Sequence, residues 1–175
     1  SLKASSVRGT VDACRAISRM VDYPLHIGIT ETGDVESGVV KSAVGIGALL
    51  LDGIGDTIRV SLSADPVEEV TAGLRILRAA GLRRDDIELV SCPTCGRTRV
   101  DLMRMVDIVN ARLPHNAGYL KVAVMGCAVN GPGEASDADI GIAFGNGNGV
   151  LFLKGEQVSH GTAEQVVEEI GRAHV

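Results

Sequence analysis

The chain has 175 residues, and 17 Lys and Arg against 22 Asp and Glu leave it a formal charge of −5. The basic residues divide 10 to 7 about residue 90 and the acidic ones 13 to 9, so the halves carry −3 and −2 and neither is a charged tail. A negative, unpolarised chain with two Tyr, two Phe and no Trp argues against nucleic acid or an anionic membrane as the main partner, since it has neither a cationic patch nor a stacking platform.

The first six residues, Ser-Leu-Lys-Ala-Ser-Ser, lack the charged and apolar regions of a signal peptide. They read instead as a strand over 2–4 entered without a lead-in, which predicts that the chain is the back part of something longer. Strands are then expected at 25–30, 57–62 and 87–91, with helices near 11–21, 38–51 and 66–80 between them. The third helix is the clearest. Asp65 can cap it, Pro66 suits the first helical position and Glu68 stands where a capping box wants it. Val67, Val70, Leu74 and Leu77 recur at helical spacing, and Gly81 closes the helix. No apolar run reaches the roughly 20 residues that span a bilayer. Strand–helix alternation at about 30 residues per unit means parallel strands with crossover helices, a partial β/α array.

From residue 87 the pattern changes. The strand at 87–91 runs into Cys92-Pro93-Thr94-Cys95, and a helix over 100–113 follows with Leu102, Met105, Val109 and Leu113 on one face. A strand at 120–125 ends at Gly126-Cys127, and the segment 128–134 reads as a loop. Residues 139–144 and 149–153 form a hairpin about Asn146-Gly147-Asn148, and a helix over 163–172 ends the chain. The fold class is α/β: residues 1–85 as a partial β/α array that would serve as half of a closed barrel, residues 86–175 as a small α+β domain.

In parallel β/α proteins the working face lies at the carboxyl ends of the strands. Those ends carry Lys3, Thr30-Glu31-Thr32, Arg59 with Ser61, and Cys92. Two cations, a carboxylate and a hydroxyl suit an anionic substrate that also needs a proton: Lys and Arg to hold phosphate oxygens, and Glu31 as a general acid if its pKa is raised. The plain alternative is a rim salt bridge between Arg59 and Glu31 beside a solvated Lys3.

The cysteines are more specific. Cys92 and Cys95 follow one strand and Cys127 another, so three thiolates converge from two strand ends on a soft-metal site. Three readings stay open. Zinc would take the three cysteines and a histidine such as His115 or His160, a thioredoxin-like pair would use Cys92 and Cys95 alone, and a 4Fe-4S cluster would take the three cysteines and an oxygen ligand, Glu134. The turn Asn130-Gly131-Pro132-Gly133 would bring backbone amides and Glu134 toward whatever Cys127 binds. Cys14 falls in a helical apolar pattern and is expected to be a core thiol. His26 is expected in the interior, and His115, His160 and His174 at the surface or in turns.

Ser1-Leu2-Lys3-Ala4-Ser5, Gly28-Ile29-Thr30-Glu31, the run from Gly53 to Leu62, Cys92-Pro93-Thr94-Cys95 and the run from Gly126 to Ala135 together resemble the carboxyl-terminal half of the (E)-4-hydroxy-3-methylbut-2-enyl diphosphate synthase (IspG/GcpE) family. The resemblance covers essentially the whole chain. It implies a TIM barrel followed by a domain holding a 4Fe-4S cluster on Cys92, Cys95, Cys127 and Glu134. It implies reductive ring opening of 2-C-methyl-D-erythritol 2,4-cyclodiphosphate with loss of water, in the non-mevalonate isoprenoid route. Flavodoxin or ferredoxin would donate the electrons, in a bacterial cytoplasm or a plastid stroma. Lys3, Arg59 and Ser61 match diphosphate-binding positions, Glu31 matches the acid that protonates the departing hydroxyl, and Asn130 matches a substrate contact near the cluster. The family also implies a head-to-tail homodimer of the full-length protein. About half the barrel is absent from this chain, so the fragment alone is expected to be inactive and to self-associate.

Overall fold

The computed structural model describes residues 1–113 and 118–170. The chain divides into two compact units, Ser1–Arg84 and Asp85–Val175.

In the first unit α1 (Val7–Ser18), β1 (His26–Gly28), α2 (Val35–Leu51), β2 (Thr57–Arg59) and α3 (Pro66–Ala79) alternate. β1 and β2 pair in parallel, His26 with Thr57 and Gly28 with Arg59. Capping side chains set the helix starts. Ser6 accepts from the Gly9 N–H at 3.0 Å, so α1 begins four residues before its apolar pattern does. Asp34 accepts from the Ser37 N–H at 2.9 Å and starts α2, and Asp65 accepts from the Val67 N–H at 2.9 Å with Pro66 at the first position of α3. Ile27, Ile46 and Leu49 are fully buried at the centre of this unit, and Cys14 is buried in the same core.

Three expectations for this unit need correction. Residues 2–4 form no strand: the Ala4 N–H donates to Thr10 Oγ1 and the Ala4 carbonyl accepts the Thr10 hydroxyl, so α1 takes the bonds a neighbouring strand would need. The two strands stop at Gly28 and Arg59, short of residues 30 and 62, where the chains turn into loops. Val67 and Val70 are 68% and 63% exposed; α3 packs inward through Ala72, Gly73 and Ile76, and the valine stripe lies to one side of that face.

The second unit is a five-stranded sheet in the order β3 (Ile87–Ser91), β4 (Leu120–Met125), β5 (Ile140–Gly145), β6 (Asn148–Leu153), β7 (Glu156–Thr162). β3, β4 and β5 run parallel, and β5, β6 and β7 antiparallel. Asn146 and Gly147, both at positive φ, make the tight turn between β5 and β6. α4 (Leu102–Arg112) and α6 (Ala163–Ile170) cover one face over Val122, Val124, Ile142 and Phe144. The short α5 (Gly131–Ser136) covers the other over Ala123, Met125 and Ala143, the alternation that a two-sided sheet requires.

The buried residues of α4 are the expected Leu102, Met105 and Val109, followed by Leu113. α5 and β7 were not expected. α5 is a single Gly-Pro-Gly turn of helix, and β7 is a polar edge strand whose exposed side chains show no apolar alternation. Of the helix expected over 163–172, the last two residues lie outside the described ones. Among the described residues no helix is long and apolar enough to cross a membrane.

Candidate functional site

In the first unit the loops after β1 and β2 are tied together. The buried Thr32 donates its hydroxyl to the Ser61 carbonyl, and the Ser63 N–H donates to the Gly33 carbonyl at 2.9 Å. The Arg59 Nε donates to Ser61 Oγ at 3.1 Å, so the guanidinium is aligned along its own strand end and the expected bridge to Glu31 is replaced by this bond. Gly28 lies opposite Arg59, and a Cβ there would stand 2.6 Å from the Arg59 carbonyl oxygen; only glycine lets the two strand ends approach so closely. Glu31 is exposed and sits at φ +57, a left-handed conformation that non-glycine residues adopt at a cost.

Lys3 is exposed on the extended segment before α1, where its Nζ donates to Ser1 Oγ at 3.0 Å. It still shares a field with Arg59. His26 on β1 is held below the ordinary imidazole range, first by desolvation and then by the charges of Lys3 and Arg59. The His26 ring bonds Thr57 Oγ1 at 2.8 Å through Nδ1 and is half-buried, not interior. Thr32 and His26 are the two residues here whose place the sequence did not disclose.

In the second unit β3 and β4 are parallel neighbours, with Ser91 opposite Val124, so Cys92 and Gly126-Cys127 leave the same end of the sheet side by side. The Gly126 N–H donates to Cys92 Sγ at 3.2 Å. The backbone N–H groups of Asn130, Val129 and Gly131 point at the Cys127 sulfur and hold that thiol below its usual range. The exposed Cys95 thiol is also lowered, by the Arg97 N–H foremost and by the Arg97 guanidinium. Thr98 closes the Cys92–Thr98 turn: its Oγ1 accepts from the Cys95 N–H at 3.2 Å, and its methyl group lies 2.9 Å from where a Cβ on Gly126 would stand.

Asn130 precedes α5 and caps it with no side-chain bond; its carbonyl accepts the Glu134 N–H at 3.1 Å. Both Asn130 and Glu134 are exposed. Among the described residues no group of three or more His, Cys, Asp and Glu side chains stands close enough together to hold a metal ion. The structure thus brings the Cys92–Cys95 segment and Cys127 to one sheet end without gathering their side chains and that of Glu134 into a closed set. The donors suit iron nonetheless: soft sulfurs, two of them lowered toward thiolate, and amides turned on them from the backbone. Of the histidines weighed for zinc, His160 sits on β7, three strands from β4, and His115 lies outside the described residues, as does His174. Cys14 is buried in the core of the first unit and its thiol is raised, by desolvation.

Comparison with known proteins bears on both units. The GcpE TIM-barrel domain matches residues 1–74, and the GcpE protein C-terminal domain matches residues 88–174. A 4-hydroxy-3-methylbut-2-en-1-yl diphosphate synthase (flavodoxin) of Caldanaerobacter subterraneus subsp. tengcongensis is 56% identical over 170 residues, 97% of this chain and 48% of the relative. Synthases of the same name from Geobacter sulfurreducens and Clostridium acetobutylicum are 59% and 52% identical over 158 and 172 residues, covering 90% and 98% of this chain and 45% and 49% of the relatives. The chain spans about half the length of the curated relatives it matches. With matches to both of its units and more than half of its residues shared with these synthases, the chain belongs to the GcpE (IspG) family.

Proposed function

We propose that this chain supplies the strand-end rim and the iron–sulfur unit of a bacterial, cytoplasmic 4-hydroxy-3-methylbut-2-en-1-yl diphosphate synthase, its first unit being part of a TIM-type barrel. Cys92, Cys95, Cys127 and Glu134 hold a 4Fe-4S cluster, which when bound passes electrons singly from flavodoxin to the substrate. One observation carries this best: Cys92 and Cys127 leave adjacent parallel strands side by side, with the Gly126 amide aimed at the Cys92 sulfur and three amides at that of Cys127.

The substrate is a cyclic diphosphate, opened by two electrons with loss of water. Arg59 and Lys3 bind its phosphate oxygens, and Ser61 keeps the Arg59 guanidinium in register for a paired contact. Glu31 delivers a proton from its carboxyl oxygen to the departing hydroxyl, which then leaves as water. Asn130, at the turn before Glu134, contacts the substrate on the cluster side. The full-length protein works as a homodimer.

Iron and acid-labile sulfide, counted per chain after anaerobic reconstitution, test the ligand set. About four of each with a broad brown absorption is the expected result. Zinc without sulfide, or a Cys127→Ser chain that binds iron and sulfide normally, overturns it. Arg59→Glu in the longer protein should then abolish turnover with the iron and sulfide count unchanged. Unimpaired turnover would leave a cluster module without this substrate site.

A further inference from the structure

We propose that the Arg97 guanidinium is the counter-charge of the cysteine site: it faces the sulfurs of Cys95 and Cys127 and raises the reduction potential of the cluster they hold. The inference rests on the cluster reading above and adds to it a residue that ligates nothing. The turn from Cys95 to Thr98 fixes where Arg97 can reach. Its two ends are bonded to each other, the Thr98 N–H donating to the Cys95 carbonyl at 3.0 Å and the Cys95 N–H to Thr98 Oγ1 at 3.2 Å. The turn is also pressed against the end of β4. The Arg99 N–H donates to the Gly126 carbonyl at 3.0 Å, and the Thr98 methyl group leaves no room for a Cβ on Gly126. Arg97 therefore stands two residues after one ligand, in a turn held against the residue that precedes another.

The segment from Pro93 to Val100 has two arginines and no acid, and the two arginines are used differently. Arg99 turns its guanidinium on the turn itself, donating through Nη1 to the Gly96 carbonyl at 3.1 Å and to the Thr98 carbonyl at 3.4 Å. Arg97 donates to the Cys95 sulfur from its guanidinium as well as from its backbone N–H, and its charge also acts at Cys127. Among the described residues no carboxylate pairs with Arg97, so its charge is spent on the sulfurs. Three thiolates and the Glu134 carboxylate bring four negative charges to the site, and reduction adds another. A fixed cation beside them, with a hydrogen bond to one sulfur, favours the reduced state. Cys95 and Arg97 are both exposed, so water and salt screen the pair and keep the effect moderate.

The test is a redox titration of the 175-residue chain, loaded anaerobically with iron and sulfide and followed by electron paramagnetic resonance. Arg97→Gln should lower the potential by roughly 30–60 mV, which is about threefold to tenfold in the equilibrium constant for one electron. Arg97→Lys keeps the charge and should recover about half of that shift or more. Arg99→Gln removes the same unit charge from a residue that only holds the turn, and should move the potential by less than half as much. An Arg97→Gln chain that loads no cluster where Arg97→Lys does load one supports the counter-charge equally. The role of Arg97 alone is overturned by an Arg97→Gln potential equal to the parent's, by an Arg97→Lys potential no closer to it, by an Arg99→Gln shift as large, or by loss of the cluster in both Arg97 variants. A parent chain that takes up no iron and sulfide overturns the cluster reading along with it.

Discussion

His26 reports on the rim one residue at a time. Desolvation of its ring, to which the fields of Lys3 and Arg59 add, favours the neutral imidazole in the folded chain. The sign for stability follows directly. The folded pKa is below the unfolded one, so the unfolded chain takes up the proton first as pH falls, and His26 destabilises the fold on acidification below the ordinary imidazole range. The same field predicts a ligand response. An anion seated on Lys3 and Arg59 offsets their charge and should raise the His26 pKa, and Arg59→Gln should raise it without any ligand. Proton–carbon NMR titration of the His26 ring, with and without inorganic pyrophosphate, checks both. A pKa unmoved by pyrophosphate would mean that the two cations do not hold a diphosphate together.

At the scale of elements, packing of α5 on β5 decides whether the ligand loop can form. A Cβ on Gly141 would stand 2.0 Å from the Ala135 carbonyl oxygen and 2.6 Å from its carbon, backbone atoms that no side-chain rotation can move away. Gly141→Ala must push α5 off the sheet, and α5 begins with the amide that faces Cys127 and carries Glu134. We expect a loss of about 1–3 kcal/mol in chemical denaturation, the usual cost of overpacking. Gly133→Ala is the control: it is helical, with open space about its Cβ, and should be neutral or gain up to about 1 kcal/mol from helix propensity. The sequence presents the two glycines alike, and only the close approach of two backbones tells them apart. The same limit hid α5 and β7, because a Gly-Pro-Gly turn and a polar edge strand carry no apolar period. Elements with a clear period and a cap, such as α3 and α4, were legible in place. For α3 the period still did not say which stripe faces inward, since that depends on the neighbours of the helix. The cysteine spacing disclosed which segments share a sheet end, because Cys92 and Cys127 each follow a strand. The roles of Thr32, Thr98 and His26 rest on bonds between segments distant in sequence, and no local pattern announces those.

The whole chain carries two cores of unequal completeness. In the second unit the inner strands β4, β5 and β6 carry buried residues on both faces of the sheet, with Phe144, Ile142, Val122 and Val124 fully buried. In the first unit two three-residue strands support the core, and Val40, Val44, Val67 and Val70 stay exposed. Apolar area left in water contributes nothing to stability, so the first unit should melt at the lower temperature. Calorimetry of the metal-free chain is expected to resolve two transitions. Gly141→Ala labels the upper one, because that contact lies wholly within the second unit. Assembling four iron and four sulfide on ligands found only in that unit should raise the labelled transition and leave the lower one in place, since a group that binds one folded unit stabilises that unit alone. If both transitions rose together, the two cores would unfold as one. A rise confined to the lower transition would move the ligands to the first unit and sink the assignment of Cys92, Cys95, Cys127 and Glu134.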